Sequence, residues 1–276
     1  MHKLSRYYKL ANILSLDVVA GAVICSIFFS QVFNTVIRVS GIISLALSVW
    51  IIYTVDHLLD ARRIAHQAST ARHRFHQKHQ KILYSVLLLA LLVVASQLYF
   101  IRKPVLTGGM ILSAFIIIYF FVQKHLKYLK ELFGAFLYAG GVLLIPLSLK
   151  FESLNTPYVL LLIQFLLTVL INLLLFSWFD FEQDTIDYRQ SFVTTFGDNF
   201  SKKILVILFI ASGIFFVFLV LGYPCFGFAS TIILIMNLVL ASLFVNKNYF
   251  IVNDRYRILG DAVFLIPLLY NFSTWL

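Results

Sequence analysis

The chain has 276 residues, of which 61% are hydrophobic and 12% charged, with a formal net charge of +10 and a mean hydropathy of +0.92. Soluble domains carry roughly a quarter charged residues, so a soluble fold is excluded and an integral membrane protein is expected. Nucleic-acid binding is excluded with it, because no soluble basic domain exists to carry such a surface. Cys25 and Cys225 form neither a disulfide framework nor a CxxC metal pair.

Stretches of about 20 apolar residues, enough to cross a hydrocarbon core of ~30 Å, predict nine helices. They fall at about 10–33, 39–56, 82–101, 104–123, 129–149, 157–180, 203–222, 225–245 and 258–275. The fold class is therefore all-α, one nine-helix bundle forming a single domain over residues 1–276. The N-terminus is basic and then apolar like a signal peptide, but its apolar run is too long and lacks a clear cleavage site, so it reads as a retained first helix. With that end inside, the inner loops collect 18 of the 22 Lys and Arg, leaving Arg38, Arg102, Lys103 and Lys150 outside. This asymmetry predicts a cytoplasmic N-terminus and an outer C-terminus. The expected location is the inner membrane of a bacterium, and the excess positive charge serves topogenesis and contact with anionic lipid headgroups. Pro104, Pro157 and Pro224 open the three even spans from the fourth to the eighth, where a first helical turn tolerates proline. Pro146, Pro267 and the Gly140-Gly141 pair fall inside spans and predict kinks that open the bundle toward a cavity.

The chain has only 12 Asp and Glu, and half of them sit in two short segments, Asp56/Asp60 and Asp180/Glu182/Asp184/Asp187. Each segment follows an inward-running span, and a shift of 124 residues lays Asp56 on Asp180 and Asp60 on Asp184. That is a weak internal repeat of two four-helix units plus one helix. Four-residue spacing sets each Asp pair on one helical face. Carboxylates at a membrane face are either solvated and paired with nearby arginines, here Arg62, Arg63 or Arg189, or functional. Mg²⁺ prefers oxygen ligands and commonly takes one or two carboxylates together with substrate phosphates. Asp56, Asp60, Asp180 and Asp184 are accordingly the candidate Mg²⁺ ligands, facing each other across a bound diphosphate.

Arg72 and Arg74, Lys124 and Lys127, and Lys202 and Lys203 are the cations available to phosphate oxygens. The series His73, His76 and His79 has imidazoles that suit Zn²⁺ or Fe²⁺, but its spacing drifts around a helix and no acid lies among them, which favours a solvated loop face. Asp17 and Asp261 lie one or two turns inside the first and ninth spans. Either lines a cavity, or Asp261 pairs with Arg257 four residues back.

These features resemble the UbiA superfamily of intramembrane prenyltransferases, which has nine transmembrane helices and two Asp-rich motifs in its second-to-third and sixth-to-seventh cytoplasmic loops. The resemblance covers essentially the whole chain. Asp180-Phe-Glu-Gln-Asp184 followed by Ser191-Phe-Val-Thr-Thr-Phe-Gly197 is similar to the family's second motif and its downstream ending. Tyr119, Lys124 and Gly134 are similar to its pattern after the fourth span. The first motif departs: Ile52 and Tyr53 stand where the family places Asn and Asp, and no Arg-Pro follows Arg72 and Arg74. The resemblance implies Mg²⁺-dependent transfer of a polyprenyl group from its diphosphate to a lipophilic, possibly aromatic acceptor. Arg72, Lys124, Lys127 and Tyr119 would hold the diphosphate, and Asp187 would bind the acceptor or act as base. A terpene cyclase, or a lipid-binding or transport protein that keeps the fold without catalysis, remains an open alternative. The partners expected are a prenyl diphosphate, the acceptor and membrane lipid.

Overall fold

The computed structural model describes residues 2–63, 68 and 70–273, with side chains at 2–7, 63, 124 and 271–273 left out. All regular elements among the described residues are helical. The chain runs through α1 (His2–Ile13), α2 (Leu16–Val32), α3 (Val39–Arg63), α4 (Ala71–Lys78), α5 (Gln80–Gln97), α6 (Lys103–Leu126) and α7 (Lys130–Lys150). It continues with α8 (Thr156–Phe179), α9 (Phe181–Ile186), α10 (Phe192–Phe196), α11 (Asp198–Gly222) and α12 (Gly227–Val245). Then come α13 (Lys247–Phe250), α14 (Arg255–Ala262) and α15 (Leu268–Ser273).

Seven helices among the described residues, α3, α5, α6, α7, α8, α11 and α12, are long and apolar enough to cross a membrane. The other two expected spans take a different form. The first is cut short: Ser15 adopts left-handed backbone (φ 57°), and only the 17 residues of α2 continue beyond it. The ninth is broken into α14, a 3-10 turn at Val263–Leu265 and α15. Pro267 falls at this break, where it has no N–H to offer a continuing helix. Pro104 and Pro157 do sit in the first turns of α6 and α8, and Pro224 opens the turn that precedes α12. Pro146 stands inside α7.

α2 is packed by α1, α3, α7, α14, α15 and the Val263–Leu265 turn. Phe28 and Phe29 of α2 and Phe33 just after it are fully buried and form an aromatic column with Phe165 and Tyr158 of α8, in edge-to-face contacts of 4.8–6.0 Å. Lipid is as apolar as these side chains, so helix association in a membrane depends on close packing and interhelical polar bonds. α8, α11 and α12 supply such bonds. Asn237 Nδ2 donates to Thr168 Oγ1 (2.8 Å) and to Ser212 Oγ (2.9 Å), and Ser230 Oγ donates to Gln164 Oε1 (2.8 Å). Each such bond is worth roughly 0.6 to 2 kcal/mol in a membrane protein. Together they fix α8, whose last residue leads directly into the second Asp segment.

Candidate functional site

α3 carries Tyr53, Asp56, His57 and Asp60 in its last turns, and α8 stops at Phe179 so that Asp180 is the hinge into α9. Asp184 is buried inside the single turn of α9, and the chain then returns through Tyr188, whose positive φ of 54° reverses it. Ser191 caps α10 with a reciprocal pair of bonds to Thr194. Gly197 takes φ 83°, a conformation open to glycine, where the chain turns into α11. The run from Ser191 to Gly197 is therefore a helix start and a helix stop. Its placement is fixed from outside by buried Glu131 of α7, whose Oε1 accepts from the Phe192 backbone N–H at 2.9 Å.

This framing brings the two Asp segments together on one cation. The Arg189 guanidinium donates to Asp60 Oδ2, and its other terminal nitrogen lies 3.6 Å from Asp184 Oδ1. Lys130 Nζ approaches the same Asp60 oxygen at 3.5 Å. Burial pushes the Asp184 carboxyl up to about 6, against the opposing pull of Arg189. Asp180 is held separately: Arg257 grips both of its oxygens, at 2.7 and 2.6 Å, and the Tyr256 hydroxyl donates to Oδ1. Tyr256 in turn stacks flat on Phe179, with ring centroids 4.4 Å apart.

A second buried cluster adjoins the first. Asn12 Nδ2 donates to Asp17 Oδ2 (2.5 Å) and to Asp261 Oδ2 (2.8 Å). Arg72 donates to the Asn12 backbone carbonyl and to its Oδ1, at 3.2 and 3.1 Å, and stands 3.8 Å from Asp261. Asp261 thus pairs with Asn12 and Arg72 rather than with Arg257, because α14 turns Arg257 the other way, onto Asp180.

The expectation of a solvated histidine face is also corrected. His73 and His76 are buried, because Thr70 caps α4 and the helix folds back on α3, setting their rings 6.2 and 5.2 Å from that of His57. Burial, joined by the nearby Arg189 charge, lowers His73 to about 3, and burial lowers His76 as well. A histidine that is neutral when folded and titrates near 6.5 when unfolded loses stability for the fold as pH falls below that value. For His73 the loss should reach about 2 kcal/mol at pH 5. Melting in detergent between pH 7 and 5 should show it, with a shallower decline in His73→Gln; an unchanged decline in that variant would remove His73 as the cause.

The remaining expected residues divide. Asp56 lies one turn before Asp60, and the charges of both reach Tyr119 on α6 and Lys130. Lys127 instead sits exposed in the connection between α6 and α7. Lys130 is the cation turned onto Asp60, since it belongs to the first turn of α7 and shares that helix's orientation. The side chain of Lys124 lies outside the described residues. Arg72 faces Asn12 and Asp261, and Asp187 is half-buried at the end of α9. Sequence reasoning passed over Lys130 as a ligand contact and missed Asn12, Tyr256 and the Arg257–Asp180 pair. A Tyr-Arg step at the start of the ninth span, at the basic end of the bundle, was the available signal.

A hard cation has a fitting donor set at one point. Asp60 and Asp184 already share a positive group, the Arg189 guanidinium, so an ion there would meet two carboxylates, with Asp56 one turn away. Among the described residues no three acidic, histidine or cysteine side chains surround one point. An ion held there would need water and phosphate for its remaining ligands, the usual arrangement for Mg²⁺.

No protein-family model and no curated protein sequence matches this chain. Solved structures do. An apo UbiA homologue from Aeropyrum pernix K1 aligns with a TM-score of 0.68 at 12% identity, over 94% of this chain and 98% of its own. A UbiA homologue from Archaeoglobus fulgidus bound to DMAPP and Mg²⁺ aligns at 0.65 and 11% identity, over 94% and 97%. A digeranylgeranylglyceryl phosphate synthase aligns at 0.57 and 18% identity, over 98% of both chains. The chain therefore shares the all-helical fold of the UbiA homologues along nearly its whole length.

Proposed function

We propose that this chain is a membrane-embedded prenyltransferase of the UbiA superfamily. It would transfer a prenyl group from its diphosphate to a lipophilic acceptor, with Mg²⁺ bound by Asp60 and Asp184 and assisted by Asp56. The observation that carries the reading is the convergence of two Asp segments, 124 residues apart in sequence, on one cation at one end of the bundle. The solved neighbours bound to DMAPP or GPP with Mg²⁺ support the substrate class.

Bound Mg²⁺ would supply charge neutralisation for the departing diphosphate. The chain's own residues do the rest. Arg189 and Lys130, both now on Asp60, would bind phosphate oxygens, Arg by a two-pronged contact and Lys as a point charge. In this reading Asp180 is an anchor more than a ligand. Its carboxylate orients Arg257 and Tyr256, and the buried Tyr256–Phe179 stack braces that pair beside the site. Breaking the carbon–oxygen bond leaves an allylic cation, which aromatic faces stabilise. Asp187 is the proposed group for the acceptor's proton, and Arg72 with Asn12, Asp17 and Asp261 would form the polar wall on the other side.

Purified protein incubated with labelled prenyl diphosphates and a membrane lipid extract should yield a labelled lipid product that disappears with EDTA, as read by mass analysis. Pyrophosphate release with a cyclised hydrocarbon and no adduct would replace the proposal with a cyclase. Binding without turnover would replace it with a lipid-binding protein.

A further inference from the structure

We propose that Arg189 is the built-in counter-cation of the Asp60–Asp184 pair, and that a divalent ion takes its place only as the guanidinium moves onto an arriving diphosphate. The inference rests on the prenyl-diphosphate reading above and adds the order of events at that site.

The two arginines of the site are held differently. Arg257 makes two close bonds to one carboxylate, Asp180, its Nε donates to the Tyr256 hydroxyl at 3.1 Å, and its side chain is 16% exposed. Both carboxylate oxygens are committed, so Arg257 is a fixed part of the wall. Arg189 spans two carboxylates from different helices, closely bonded to Asp60 but 3.6 Å from Asp184, and its side chain is 26% exposed. Its backbone lies in the connection from α9 to α10, tied by its N–H to the Asp184 carbonyl at 2.8 Å. The guanidinium is thus a partly solvated head on a fixed stem, close to one carboxylate and loose only toward the other.

A hard cation ligated by Asp60 and Asp184 would need the place between them that the guanidinium now holds, and two cations cannot share it without strong repulsion. Lys130, at 3.5 Å from Asp60, adds to that repulsion. The carboxylate pair is therefore already neutralised and offers a free divalent ion little. A diphosphate changes the balance, because its oxygens match the Arg fork and supply the missing metal ligands. Metal and diphosphate should then bind cooperatively, with Arg189 exchanging partners, so that the carboxylates keep a positive neighbour throughout.

The full chain in detergent can be titrated with Mn²⁺ alone, following free Mn²⁺ by electron paramagnetic resonance, and separately with labelled inorganic pyrophosphate at fixed Mn²⁺ by equilibrium dialysis. Wild type should bind Mn²⁺ weakly without pyrophosphate. Arg189→Gln should bind Mn²⁺ alone at least tenfold more tightly and pyrophosphate at least fivefold more weakly. If Arg189→Gln melts in detergent, Arg189→Lys takes its place: one amine cannot span both carboxylates, so the same directions are expected at about threefold. Mn²⁺ affinity unchanged by the substitution overturns the proposal, whatever pyrophosphate does. Tighter Mn²⁺ binding in the variant with no pyrophosphate binding by wild type supports the counter-cation role and overturns the prenyl-diphosphate reading instead.

Discussion

Asparagine in place of Asp184 should leave the protein folded in detergent and lower prenyl transfer by about 100-fold or more, the scale on which loss of one preorganised charge-stabilising group acts. The substitution keeps the shape of the side chain. It also leaves the backbone bonds of Asp184, from its N–H to the Asp180 carbonyl and from the Arg189 N–H to its own carbonyl, both at 2.8 Å. Only the negative charge is lost. Asp184 faces the shared cation, whereas Asp180 of the same segment is committed to Arg257. Asp56→Asn should cost less, because the first segment retains Asp60 as its closer contact to that cation. Turnover measured beside a melting curve distinguishes the two variants from unfolding. Full activity in Asp184→Asn would reject its place in the site, and a larger loss in Asp56→Asn would show the two segments ranked wrongly.

The largest effect on stability should come from Gly21→Ala. A Cβ at Gly21 would lie 2.6 Å from the Cβ of Phe264, an atom fixed to the backbone of the Val263–Leu265 turn. Nothing flexible can yield there, so α2 and the broken ninth helix must separate, at about 3 kcal/mol for overpacking. Both partners also carry the acid cluster: Asp17 lies one turn before Gly21, and Asp261 three residues before Phe264. Activity should therefore fall together with melting temperature. Gly141→Ala is the comparison, since a Cβ there meets nothing within 4 Å; it should be neutral or gain up to about 1 kcal/mol from helix propensity. Equal melting temperatures for the two variants would remove the close contact as a determinant of the fold.

The helical class and the membrane setting were legible because they depend on patterns with a short range. Apolar runs report bilayer thickness, and a four-residue spacing reports a helical face. The count of spans was less legible at both ends of the chain. A length rule assumes that a helix touches lipid, whereas α2 is surrounded by protein and needs no match to the hydrocarbon depth. The ninth segment reads as continuous in hydropathy, yet Pro267 and the close seat on Gly21 break it. Long-range polar partners were the least legible of all. Asp261 has Arg257 four residues back, an ordinary helical pair, but Asp180 from α8 offers that arginine two oxygens and Tyr256, and wins. Neither the buried histidines nor Lys130 could be placed without knowing how α4 and α7 lie against α3.

α5 and α6 follow each other through residues 98–102, yet α5 packs on α3 and α6 on α7, with little contact between the two. Both turn mostly apolar, exposed side chains outward. The two helices therefore stand like the covers of a half-open book, with acyl chains of the bilayer as its pages. On that side the spine is α3 and α7, the helices that bring Asp60 and Lys130 to the site. A hydrocarbon tail lying in the opening has fluid lipid for one of its neighbours. If the proposed prenyl diphosphate lays its tail there, such a boundary would yield to a longer chain, and the protein would set no ruler against which the tail is measured.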